Sequence, residues 1–110
     1  MEEKNLQEEK DQAELNAIAK KYSVEKVSQI FANKKDCETI SAYFKKPDRK
    51  ILGMVMSIDK QNSLRAKEIL LTNCFLEGDK RILTDDDYFY SACTKAYDTF
   101  DIMDADIKKN

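Results

Sequence analysis

The chain has 110 residues, 42% of them hydrophobic and 36% charged, with 19 basic against 21 acidic side chains and a net charge of -2. That length suits one domain with one modest core, and the apolar share is too high for a disordered chain. The near balance of charge excludes a bulk attraction to nucleic acid or to an anionic membrane, and no apolar run approaches the roughly twenty residues a bilayer span needs.

The N-terminus, MEEKNLQEEKDQ, is acidic and has no apolar centre, so it does not read as a secretory signal. A cytoplasmic location follows as the expectation. Residues 1–14 are dominated by charge and read as a leader that frays where apolar support is missing. Leu15, Ile18 and Tyr22, with Ala19 beside them, then form a short stripe. The spacing predicts a helix over 3–21, and residues 15–110 read as a single helical domain.

Val24, Val27, Ile30 and Phe31 are β-branched or aromatic, which predicts a short strand near 24–32, with a helix extension as the alternative. Asn33-Lys34-Lys35-Asp36 reads as a turn. Asp36 is placed to cap a short helix over Cys37–Lys45, with Ile40, Tyr43 and Phe44 on one side. Pro47 pushes the preceding residue out of the α region, so that helix should end near Lys45 or Lys46. The next helix, about 48–58, carries Ile51, Leu52, Val55, Met56 and Ile58. Gly53 at its centre is expected to allow close helix packing.

Asp59 or Asn62 can cap a further helix carrying Leu64, Ile69, Leu70, Leu71, Cys74 and Phe75, with Leu64, Leu71 and Phe75 on one face. Gly78 is expected to end it as a left-handed C-cap. Residues 79–83 read as a connector that returns Ile82 and Leu83 to the core. In Thr84-Asp85-Asp86-Asp87, Thr84 reads as an N-cap, and the aspartates complement the helix dipole. The helix over 85–100 places Phe89, Ala92, Cys93, Ala96 and Phe100 at helical spacing, flanked by Tyr88, Tyr90 and Tyr97. A last short helix is expected from Met103 to Lys109. The fold class predicted is therefore mainly α: a bundle of five to six helices with at most a small β element near residues 24–32.

Little here supports catalysis. Histidine, the easiest general base at neutral pH, is absent. Cys37, Cys74 and Cys93 form no CxxC pair, and with no histidine they read as reduced thiols rather than zinc ligands or a nucleophile. The chain's two glycines fit no phosphate loop. Asp85–Asp87 lacks the alternation of an EF-hand loop, so metal binding there is an alternative to helix capping, not the main reading. No cofactor is expected. Lys45-Lys46-Pro47-Asp48-Arg49-Lys50 is the one basic patch. Asp48 interrupts it and no aromatic row accompanies it, which favours a solvated turn or a charged contact with a protein over nucleic acid.

The run Lys46-Pro47-Asp48-Arg49, then Leu70-Leu71 with Asn73-Cys74-Phe75-Leu76 and Gly78-Asp79, then Asp85–Asp87 and the end Asp106-Ile107-Lys108-Lys109, resembles tailed-bacteriophage tail assembly chaperones. The resemblance runs from Val27 onward. It implies a short N-terminal α/β portion, then a helical domain introduced by a K-x-P-x-R element. It implies a non-enzymatic protein-binding module, in the host cytoplasm, that holds a tape-measure or tail-tube protein soluble until assembly. Phe44, Tyr88, Tyr90 and Tyr97 are then the candidate partner contacts, because aromatics give much contact area at low entropic cost; the bland alternative is that they complete the domain's own core. A second alternative is a small regulatory or host-interaction protein acting through its acidic N-terminal helix.

Overall fold

The computed structural model describes residues 2–100 and 102, with side chains described from Gln12 onward. In chain order, α1 (Glu2–Lys21) leads into β1 (Val27–Ala32) and β2 (Ile40–Lys45), then α2 (Arg49–Asp59) and α3 (Ser63–Cys74). β3 (Phe75–Gly78), α4 (Arg81–Thr84) and α5 (Asp86–Thr99) follow. The helix expected over 103–109 lies outside the described residues. The three strands form one antiparallel sheet in the order β1-β2-β3. The fold is thus α+β, which corrects the expectation of a mainly α bundle.

The correction turns on two segments. Ile40–Lys45 is a strand, not the expected helix. Ile40, Tyr43 and Phe44 fit one helical face, but Ile40, Ala42 and Phe44 equally fit one face of a strand. Over six residues both periods are satisfied, so pairing with the neighbouring strands decides. Each β2 residue has a partner on β1, from Ile40 against Ala32 to Lys45 against Val27. The second segment is Phe75–Gly78. The helix that begins at Asn62 stops at Cys74, and the chain turns extended at Phe75 with no intervening loop. The Phe75 ring meets Phe44 edge to face, with centroids 5.7 Å apart. Gly78 does take a positive φ, of 133°, but as the residue opposite Ala42 in the sheet rather than as a helix cap.

The inward face of the sheet carries Ile30, Ala32, Ile40, Ala42 and Phe44. Against it pack Ile51 and Val55 from α2, Ala66, Leu70, Leu71 and Cys74 from α3, Ile82 from α4, and Tyr88, Ala92, Cys93 and Ala96 from α5. α1 packs on the other face. There Ile18 and Val27 are buried outside the main cluster, the Tyr43 hydroxyl donates to Glu14 at 2.9 Å, and Lys21 pairs with Glu77 at 3.0 Å. Lys46 N–H donates to Lys26 O at 3.0 Å, so the even residues of β1 aim their main-chain groups at β2 and the odd ones aim away. At the far end of that outer edge α5 intervenes. Lys95 Nζ donates to Phe31 O at 2.6 Å, and Asn33 N–H donates to Ser91 Oγ at 2.9 Å.

Helix starts follow their capping residues. Asp48 accepts from Ile51 N–H at 2.9 Å, and Asn62 accepts from Arg65 N–H at 3.0 Å. The cap of α5 is one residue later than expected. Asp85 accepts from Asp87 and Tyr88 N–H, while Thr84 ends α4 and donates back to Lys80 O. Gly53 also departs from expectation: a Cβ built there would meet nothing within 4 Å, so it mediates no close helix contact.

Candidate functional site

The four aromatics proposed as contacts from sequence separate into different environments. Phe44 is fully buried at the sheet centre, between Phe75 and Phe100, and is corrected to a core residue. Tyr88 is 2% exposed, and its hydroxyl donates to Glu38 O at 2.6 Å, so it too belongs to the interior. The reason is shared. Phe44 lies on the inward face of β2 and Tyr88 on the buried face of α5, so both rings enter the one core cluster, where an aromatic ring buries much apolar area. Tyr97 is half-buried, donates to Asp59 Oδ1 at 2.6 Å and carries Lys67 Nζ 5.2 Å from its ring centroid. Tyr90 alone projects outward, at 64% exposure, the largest value among the described large hydrophobics.

Tyr90 does not stand by itself. With Phe89 on α5, Leu83 on α4 and Leu64 on α3 it lines a shallow groove of about 500 Å³, edged by Glu68 and Asp86. Leu64 is 52% exposed. Two large apolar side chains, each more than half in water and bordering one depression, form the kind of patch that a folded monomer otherwise covers.

Leu64 is the residue that sequence reasoning missed, because it was assigned to the core face with Leu71 and Phe75. At about 100° per residue, the residues actually buried on α3, namely Ala66, Leu70, Leu71 and Cys74, centre about 95° away from Leu64. Counting the small Ala66 as a core residue is the signal that separates them.

Within the aspartate run, Asp85 caps α5. Asp85 accepts from Asp87 N–H, Tyr88 N–H and the Lys34 ammonium, the last at 2.9 Å. That ammonium, then the Tyr88 amide, hold its carboxyl below the usual carboxylate range. Among the described residues no group of three or more Cys, Asp and Glu side chains is placed to hold a metal ion. Cys74 and Cys93 are buried, and burial pushes each thiol up to about 11, far from the thiolate a nucleophile requires. No helix among the described residues is long and apolar enough to cross a membrane. The chain matches no protein-family model, no curated protein and no solved structure.

Proposed function

We propose that the protein is a non-enzymatic binding module that holds an apolar segment of a protein partner in the groove formed by α3, α4 and α5. The observation that carries this reading is the joint exposure of Leu64 and Tyr90 over Leu83 and Phe89. Helix-in-groove capture uses such a surface: rigid walls, a shallow apolar floor and a polar edge. The floor is built on helices whose opposite faces are locked into the main core, so it is formed before a partner arrives and little ordering cost attends binding. The role fits the tail assembly chaperones that the chain's motifs resemble, with a tape-measure or tail-tube protein as the partner.

A fluorescent helical peptide with leucines at i, i+3, i+4 and i+7 tests the groove directly. Wild-type protein is expected to bind it, and Leu64→Ser with Tyr90→Ser to weaken binding at least about tenfold, with an unchanged melting temperature because both side chains face water. Equal binding by the double variant refutes the assignment. Deleting residues 1–14 leaves binding intact on this reading. Loss of binding in that deletion transfers the role to the acidic helix and the regulatory alternative.

A further inference from the structure

A second concavity lies at the other end of the helical layer. Tyr90 and Phe100 are ten residues apart, about 15 Å along α5 at the usual rise per residue. Around Phe100 the end of α5, the start of β1 and the Lys46-Pro47 turn enclose a cavity of about 300 Å³. Its apolar wall is Pro47, Leu52, Phe100 and Ile102, and its polar wall is Lys26, Ser28, Lys46 and Thr99. It continues into a neighbouring depression that shares Lys46, Pro47 and Leu52 and adds Lys45 and Arg49.

The balance of charge there differs from that of the whole chain: four cations face two carboxylates, where the chain has 19 basic against 21 acidic side chains. Among the described cations, Lys21 pairs with Glu77, Lys34 with Asp85, Arg65 with Glu68, and Arg81 with Asp79 and Glu38, while other lysines, such as Lys20, Lys35 and Lys60, stand singly on the surface. Lys26, Lys45, Lys46 and Arg49 form no ion pair with any described carboxylate. Two carboxylates border the same cleft, Glu25 and Asp48, and Asp48 is committed to capping α2 through Ile51 N–H. Lys26 and Lys46 on the cavity, with Lys45 and Arg49 on the adjoining depression, outnumber the two carboxylates and leave a local positive excess whose members repel one another. An anionic occupant relieves that repulsion.

We infer that this cleft is a docking site for an acidic segment of a protein partner, anchored by one apolar side chain. The anchor lies on Leu52, Phe100 and Pro47, and carboxylates on either side of it meet Lys26 and Lys46. A nucleic acid fits less well. A phosphate run would pass Glu25 and Asp48, and the cleft offers the ring of Phe100 as its one aromatic surface, half-buried against Phe44. The inference is independent of the Tyr90 groove, since it rests on different residues and a different attraction.

The test is fluorescence anisotropy on the full chain with three probes: a peptide with one phenylalanine flanked by aspartates, its lysine-flanked counterpart, and a single-stranded oligothymidine. The acidic peptide is expected to bind at least about tenfold tighter than the basic one at low salt, and to weaken as salt rises. Lys26→Glu with Lys46→Glu is expected to weaken it at least about tenfold, while Leu64→Ser with Tyr90→Ser leaves it unchanged. Lys26→Gln with Lys46→Gln gives a smaller loss and serves if charge reversal disturbs folding. Equal binding of the two peptides, or lysine variants that bind like wild type, overturns the inference. Tighter binding of the oligothymidine than of the acidic peptide overturns the choice of partner and assigns the cleft to nucleic acid.

Discussion

Replacing either of the two glycines by alanine tests the sheet and the helical layer with the same added methyl group, and the two changes are expected to have opposite signs. Gly78 has φ of 133°, and a Cβ there would lie 2.4 Å from Ala42 Cα, 2.7 Å from Ala42 Cβ and 2.9 Å from Ser41 O. Two of these three contacts are with backbone atoms, which cannot rotate away. Backbone strain of roughly 1–3 kcal/mol and overpacking of similar size put the loss at about 3 kcal/mol or more. Gly53 lies exposed in α2, with nothing within 4 Å of its would-be Cβ. There alanine removes backbone freedom from the unfolded chain and gains about 0.5–1 kcal/mol. Urea unfolding followed by far-ultraviolet circular dichroism reads both. With a slope near 1.5 kcal/mol/M, the midpoint falls by about 2 M for Gly78→Ala and rises by about 0.5 M for Gly53→Ala. A Gly78→Ala protein within about 1 kcal/mol of wild type would refute the close approach of β3 to β2. A destabilised Gly53→Ala would refute the open surface of α2.

Cys37 is exposed while Cys74 and Cys93 are buried with raised thiols, so a thiol reagent on the native protein should label Cys37 rapidly and the other two only after denaturant is added. Rapid labelling of Cys74 would show that α3 does not hold its buried face against the sheet. Stability should also fall in acid. Glu77 is held below its ordinary value first by the Lys21 ammonium and then by Tyr22, Asp79 by Arg81, and Asp85 by Lys34. Folded-state values depressed in this way give stability that is complete above the unfolded carboxylate value of about 4 and is lost as pH falls through the folded ones. Melting temperature is therefore expected to be level near neutrality and to drop below about pH 4, with a shallower drop in Lys21→Met and Lys34→Met. A wild-type profile that stays level down to about pH 2 would refute it.

The helices were legible where a cap and a stripe coincide. Asp48 before Ile51 and Val55, and the aspartates before Ala92 and Ala96, mark α2 and α5 to within a residue or so. The sheet was legible only at β1, where β-branched residues cluster. β2 was hidden because its six residues satisfy the helical and the strand period alike, and β3 because its partner is remote in sequence: Phe44 meets Phe75 across 31 positions, and nothing local to Phe75 announces that its helix has ended. The candidate contacts were misjudged for the same reason. Tyr88 and Tyr90 look alike as neighbours on one helix, yet two residues is about 200° of rotation, enough to put one in the core and the other in water. Which of them faces inward depends on where the sheet lies.

The ammonium of Lys95 and the hydroxyl of Ser91 also set how this protein coexists with copies of itself. A bare outer strand is a template on which a second chain can crystallise its own backbone, and β1 is such a strand. With Phe31 O and Asn33 N–H already engaged by α5, the outward main-chain groups left on β1 are those of Val27 and Gln29 and the amide of Phe31. α5 thus covers the C-terminal end of this edge. Two side chains of a single helix thereby hinder edge-to-edge pairing at that end of β1.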